Sequence, residues 1–167
     1  KERHNINEED IKLNHVEFKP GRLKNPWNKN LISIGLSSGF LEPLEATNIH
    51  MTVGQIMCIL RSWPGVISIV KRDQYNANMN DMWKQAIDII RLHYVTKRED
   101  SQYWRDLNNN VPPHLRQKIE HLSQYVVQPE DVWEDFDRNV GYRVFGLHSY
   151  GQILRGLDLQ RPEIAQK

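Results

Sequence analysis

The sequence predicts a mainly α-helical unit that carries one or two β-strands belonging to a larger sheet. Its 167 residues are 39% hydrophobic and 26% charged, which suits one domain with a buried core. After Ser37, apolar residues recur mostly at three- and four-residue spacing, as they do in amphipathic helices. The run over 31–36 is instead apolar on both faces, like a strand inside a covered sheet. Because two strands are too few for a stable sheet, we expect further strands from outside this chain.

The two predicted strands flank a turn near the start of the chain. Residues 16–18 alternate in polarity, and the Pro20-Gly21 pair that follows is a turn signal. The run over 30–36 is short, apolar and bounded by glycine, so it is the stronger strand. These features predict a strand–turn–strand segment over residues 1–40.

Four helices are predicted over residues 41–167. Pro43 suits the first turn of one helix, which ends before Pro64-Gly65. A second begins at Asn80, a third at Pro112-Pro113 and a fourth over 129–136. The side chains predicted to face the core are Ile49, Val53, Ile56, Met57, Leu60, Met82, Ile87, Ile90, Tyr94, Leu115, Ile119, Leu122 and Val126.

Composition excludes several classes of protein. The 22 Lys and Arg nearly balance 21 Asp and Glu, so the net charge of +1 argues against nucleic-acid binding and a polybasic membrane anchor. A single cysteine, Cys58, excludes an internal disulfide framework and a cysteine-cluster metal site, and we expect it to be an inert buried thiol. The histidines show no metal-ligand spacing, so no metal is expected. No apolar run approaches the ~20 residues of a membrane span and no signal peptide is visible, so we expect a cytoplasmic protein.

The segment over 34–49 has the composition of a ligand site. An apolar run leads into a turn of small residues, and two carboxylates, Glu42 and Glu45, stand near a predicted helix start. Glycines let a ligand approach the backbone, and free N–H groups at a helix start favour anions. The alternative is that small residues permit tight packing and that the carboxylates only complement the helix dipole.

The same segment resembles the flavin-site motif of flavin-dependent tryptophan halogenases. Residues 35–47 read GLSSGFLEPLEAT, a long match to that motif. Other pieces of the family's C-terminal part occur in the same order: Phe18, Gly21-Arg22, Trp27-x-x-Asn30, His93-Tyr94-x-Thr96-x-Arg98, Tyr103-Trp104, Ile153-Leu154-x-Gly156 and Arg161-Pro162-Glu163. The resemblance covers nearly the whole chain, and it is strongest over 30–49 and weakest over 105–145.

The resemblance implies the C-terminal helical domain of a larger α/β flavin-binding fold of the FAD/NAD(P) type. Residues 1–40 would be contributed to the flavin-binding domain, and residues 41–167 would form a helical domain with the substrate and halide sites. The family's GxGxxG motif, its Trp-x-Trp-x-Ile-Pro motif and its essential lysine have no counterpart in this sequence. The chain alone is therefore expected to be inactive. It is also expected to be poorly soluble, because the apolar strand over 31–36 would be unpaired.

The implied activity is halogenation of an electron-rich aromatic ring with halide, O2 and reduced FAD from a separate flavin reductase. The resemblance implies Glu45 as the catalytic residue, Leu36, Ile49, Gly35 and Gly39 at the flavin, and Thr47 and Asn48 at the halide. Trp133, Phe145 and Tyr150 are candidates for the substrate pocket or, equally, core aromatics. Glu42 is expected to be structural and to bond backbone amides.

Two departures from the family pattern bear on specificity. Ala46 stands where the family has Ser, and Asn48 where it has Gly, so the preferred halide is left open. The Tyr pair and Glu that hold free tryptophan have no match, which favours an indole-like substrate without the zwitterion. A homodimer is left open.

The sequence leaves two alternative functions open: a related flavin monooxygenase that hydroxylates its substrate, and a noncatalytic helical interaction module.

Overall fold

A computed structural model describes residues 12, 14–42, 47–62, 69–124 and 144–161. Within these ranges the chain forms four two-residue strands and five α-helices, which confirms the predicted mainly helical fold. The strands are β1 (Gly21–Arg22), β2 (Trp27–Asn28), β3 (Leu31–Ile32) and β4 (Gly39–Phe40). The helices are α1 (Thr47–Ser62), α2 (Ile69–His93), α3 (Gln102–Asn109), α4 (Pro113–Ser123) and α5 (Leu147–Gly156).

The strands form two antiparallel pairs. β2 and β3 make a tight hairpin with Trp27 opposite Ile32, and Lys29 in its turn has a positive φ of 53°. β1 and β4 pair with Gly21 opposite Phe40. Trp27 is anchored to α2, because the Asn76 amide accepts from its backbone N–H and donates to its carbonyl oxygen, at 2.9 and 3.0 Å. The strand segment is thereby fixed on the helices.

The prediction of one continuous strand over 30–36 is wrong. Extended pairing ends at Ile32, and a single 3-10 turn, Gly35–Ser37, follows. Two local features break the strand: Gly35 has a φ of +62°, and the Ser37 hydroxyl hydrogen-bonds the backbone N–H and carbonyl of Ile34. The predicted strand over 16–18 is also wrong, since these residues are not in a β-strand; Phe18 packs edge-on against Phe40.

α2 begins at Ile69 and not at Asn80 as predicted. Its first three turns are rich in polar residues, so they lack the apolar spacing by which a helix is predicted. Tyr75 and Met79, on one face of these turns, are nevertheless buried. Met82 points inward as predicted, whereas Ile87 is 43% exposed. The first core cluster consists of Trp27, Met51, Cys58, Tyr75, Met79, Met82, Trp83, Ala86 and Val144.

The apolar stripe of α1 does not face this core, contrary to the prediction. Met51, Gln55 and Cys58 face inward instead, at helical spacing. The predicted inward residues are 40–70% exposed and form what we call the apolar face of α1: Ile49, Val53, Ile56, Met57 and Leu60. Contiguous exposed apolar surface of this kind normally marks an interface.

A second core cluster joins α4 and α5 to the C-terminal end of α2. Leu115 and Leu122 are buried as predicted, with Ile119 packed beside them. α3 and α5 were not predicted; α3 begins where the Ser101 hydroxyl accepts from the Trp104 backbone N–H. The predicted helix over 129–136 and Val126 lie outside the described residues. None of the helices described here is both long and apolar enough to cross a membrane.

Candidate functional site

The start of α1 holds two buried polar atoms without partners. Thr47, the first residue of α1, is only 4% exposed, and its hydroxyl oxygen has no hydrogen-bond partner. The side-chain oxygen of Asn48 is likewise buried and unpartnered. The first N–H groups of any α-helix also lack intrahelical acceptors. The Thr47 hydroxyl can donate a hydrogen bond to an anion, whereas the Asn48 side-chain oxygen can only accept one.

A buried glutamine joins the glycine turn to α1. Gln55 is fully buried, its side-chain oxygen accepts from the Gly35 backbone N–H at 2.8 Å, and its amide donates to the Ser38 hydroxyl at 2.6 Å. The Ser38 hydroxyl in turn donates to the Gly35 carbonyl at 2.8 Å. These contacts hold the turn over 35–38 in one position relative to α1. Gln55 was not predicted as a site residue, although a polar residue among the apolar positions of a helix is a signal for such a role.

Different structural constraints explain why positions 35 and 39 of the turn are glycine. Gly35 has a positive φ, and a Cβ built on it would lie 3.2 Å from the Thr52 hydroxyl oxygen. Gly39 is buried, and a Cβ there would lie 2.7 Å from the Trp83 ring and 2.8 Å from Arg22. Close packing thus explains Gly39, while Gly35 also provides a backbone conformation that side chains rarely adopt.

Two predicted flavin residues are the most exposed apolar side chains near the site. Leu36 at the turn is 71% exposed and Ile49 in the first turn of α1 is 70% exposed. Glu45, the predicted catalytic residue, lies outside the described residues.

Among the described residues, Glu42 hydrogen-bonds a side chain, and no bond from a backbone amide to it is found. The Tyr94 phenol donates to its Oε2 at 3.2 Å, while its Oε1 is buried and has no partner. Burial raises the pKa of Tyr94, and the neighbouring Glu42 charge and hydrogen bond raise it further. The bond ties the end of β4 to the end of α2.

Two of the three predicted substrate-pocket residues lie within the described ranges, and both belong to the second core cluster or pack against it. Tyr150 is 1% exposed inside the second core cluster, with the Lys118 ammonium 3.7 Å above its ring. Phe145 packs against both clusters and lies 5.9 Å from the His50 ring, centroid to centroid. Trp133 lies outside the described residues.

Cys58 is buried as expected, and burial raises the pKa of its thiol. In the described ranges, no three His, Cys, Asp or Glu side chains group closely enough to hold a metal.

Comparison with solved structures assigns a class to this fold. The chain superposes on a thermophilic tryptophan halogenase from "Streptomycin violaceusniger" with a TM-score of 0.72 and 32% identity, covering 94% of this chain and 32% of that one. It also superposes on BrvH, a flavin-dependent halogenase from Brevundimonas sp. BAL3, with a TM-score of 0.67 and 28% identity, covering 91% and 30%. The described fold is therefore part of a flavin-halogenase fold.

Sequence comparison identifies the family. The tryptophan halogenase family model matches residues 2–165. The chain is 35% identical over 127 residues to 7-chloro-L-tryptophan 6-halogenase KtzR of Kutzneria sp. (strain 744), covering 74% of this chain and 25% of that protein. The chain belongs to the tryptophan halogenase family, which confirms the resemblance carried by residues 35–47. It spans about a quarter of the length of the curated relatives it matches.

Proposed function

We propose that this chain is the C-terminal part of a flavin-dependent halogenase that acts on an electron-rich, indole-like aromatic substrate. Halide, O2 and reduced FAD from a separate flavin reductase are its other reactants. The observation that carries the proposal is the buried, unpartnered hydroxyl of Thr47 at the start of α1, within the matched motif. The GxGxxG motif and the lysine, absent from these residues, would lie in the rest of the protein.

Thr47 and the backbone N–H of Asn48 are proposed to bind the halide. A halide leaving water needs replacement hydrogen-bond donors, and a hydroxyl and an amide at a helix start provide them. The hydroxyl already lacks a protein partner, so binding the anion breaks no described hydrogen bond.

The flavin is proposed to lie against the turn at Gly35 and Gly39 and the side chains of Leu36 and Ile49. Both side chains are about 70% exposed, so a flavin ring could cover them. Bound FAD supplies the oxidising chemistry. Glu45 is proposed to orient the active halogen species and to accept the proton that the ring loses on halogenation.

The apolar face of α1 is proposed to pack on the flavin-binding domain. Its five side chains and Leu36 would expose a large apolar surface if nothing covered them. Residues 1–40 are proposed to belong to the flavin-binding domain and residues 41–167 to the helical domain. Leu31 of β3 is 61% exposed beside the strand pairs found within 21–40, so it offers an apolar side chain for that domain to cover.

The test uses the whole protein with a flavin reductase, NADH, FAD and either chloride or bromide, and detects products on indole by mass spectrometry. Thr47→Val keeps the side-chain shape and removes the hydroxyl, so halogenation should fall at least about tenfold and the halide KM should rise. Thr96→Val, in the loop over 94–101, is the control; it also removes a hydroxyl, one that accepts from the Arg98 backbone N–H. Unchanged halide dependence in Thr47→Val would refute the halide assignment.

Hydroxylation is the second candidate, because Asn48 places a buried side-chain oxygen beside the halide position. An acceptor oxygen there disfavours an anion. A hydroxylated product without any halogenated product in the same assay would favour the monooxygenase. Glu45→Gln with no effect on any activity would favour a noncatalytic module.

A further inference from the structure

A closed cycle of three hydrogen bonds fastens the glycine turn to α1. The Gly35 N–H donates to the Gln55 side-chain oxygen at 2.8 Å, the Gln55 amide donates to the Ser38 hydroxyl at 2.6 Å, and that hydroxyl donates to the Gly35 carbonyl at 2.8 Å. The Gly35 donor requires the oxygen of the Gln55 amide, so the NH2 group of that amide must face Ser38. Hydrogen bonds joined in this way polarise one another, so each depends on the other two.

Few other contacts restrain the turn. Leu36 at its centre is 71% exposed, so packing does not hold it. The Ser38 carbonyl accepts from the Leu23 N–H at 2.8 Å, which ties one end of the turn to the residue after β1. Among the described hydrogen bonds, those of Gln55 are the ones that join the turn to α1. Without them, the position of the turn relative to the helix is no longer fixed.

This position sets the spacing of two exposed apolar side chains. Leu36 is on the turn and Ile49 is on α1, and the proposed function, on which this inference rests, places the flavin against both. A rigid ring system contacts both side chains only while the turn stays in place. A turn that moved freely would have to be ordered when the flavin binds, and the lost conformational entropy would weaken binding.

We propose that Gln55 is a positioning residue for the flavin. Through Gly35 and Ser38 it fixes Leu36 relative to Ile49, and the apolar surface for the flavin is formed before the flavin binds. Gln55 is fully buried, so it acts through the turn and does not touch the ligand itself.

The experiment measures FAD binding to the whole protein by the quenching of FAD fluorescence, with Gln55→Met as the variant. Methionine is unbranched and of similar size, but it makes neither hydrogen bond. We expect the Kd for FAD to rise at least about tenfold. Gln74→Met, which changes an exposed helical glutamine in the same way, is the matched control and should leave the Kd unchanged.

The halide KM separates positioning from a general loss of structure. Thr47 and Asn48 take no part in the hydrogen-bond cycle, so in Gln55→Met the halide KM should stay within about twofold of the wild-type value. A loss of structure throughout α1 would raise the halide KM together with the Kd for FAD. A parallel rise of both constants would therefore overturn the proposal.

Two further variants distinguish the ways in which the proposal could fail. Ser38→Ala removes one member of the cycle with a smaller change in volume, so it should raise the Kd for FAD at least about threefold even if Gln55→Met does not fold. Leu36→Ala truncates an exposed side chain at the proposed flavin contact and should also weaken binding. If Leu36→Ala weakens FAD binding while Ser38→Ala and a folded Gln55→Met do not, the positioning role is refuted and the flavin location stands. If Leu36→Ala has no effect, the proposed flavin location and the role of Gln55 both fail.

Discussion

Replacing Gln55 with leucine tests whether one buried side chain holds the glycine turn on α1. The substitution keeps roughly the same volume and removes both hydrogen bonds, from Gly35 N–H and to the Ser38 hydroxyl. The Ser38 hydroxyl retains its bond to the Gly35 carbonyl, so the main loss is a Gly35 N–H left without an acceptor. An unsatisfied buried donor costs about 1–3 kcal/mol and a lost ordinary hydrogen bond about 1 kcal/mol. We expect the free energy of unfolding to fall by about 2–4 kcal/mol.

Urea unfolding followed by circular dichroism measures this loss. Gln74→Leu is the matched control, since Gln74 is an exposed helical glutamine whose amide bonds the Asn78 side chain four residues on. That change should stay within about 0.5 kcal/mol. If both variants unfold at the same urea concentration, the network does not fix the turn and the reasoning fails.

Three further predictions follow from the same contacts. Gly35→Ala places a side chain at positive φ against Thr52 and should cost about 1–2 kcal/mol in urea unfolding; Gly21→Ala, where a Cβ meets nothing, should cost less. Burial raises the pKa of the Cys58 thiol, so iodoacetamide at pH 8 should label it slowly in native protein and quickly in urea, and fast native labelling would contradict its burial. Met57→Lys on the apolar face of α1 should destabilise the whole protein by about 2–4 kcal/mol if that face is covered, and by under about 0.5 if it is free.

Local signals predicted part of the fold. The proline pair at 112–113 marked the start of α4, and Leu115 and Leu122 are buried as their spacing indicated. The same reasoning failed over 30–36, because a positive φ at Gly35 and a serine side-chain bond are not visible in hydropathy. It missed the start of α2, where polar residues outnumber the few that are buried.

The candidate site was predictable only as a motif. The match over 35–47 identified the family, but it could not show which side chains the turn uses to reach α1. Two side chains hold the segment over 35–47 through hydrogen bonds. Gln55 bonds Ser38, which lies 17 positions away in sequence, and Tyr94 bonds Glu42, which lies 52 positions away. The packing of the helices brings such partners together, so no local sequence pattern predicts them. Glu45 and Trp133 stay predictions.

The orientation of α1 explains why periodicity alone misled the core prediction. Two faces of this helix carry apolar groups, and the face with more of them, from Ile49 to Leu60, is turned outward. The inner face contains Gln55, which would be costly to bury without partners but finds them in the turn over 35–38. If α1 were rotated so that its outer face pointed inward, the Gln55 amide would lose its partners, and Met51 and Cys58 would become exposed. Hydrogen bonding therefore selects the inner face, and the larger apolar face stays exposed, where we propose that the flavin-binding domain covers it.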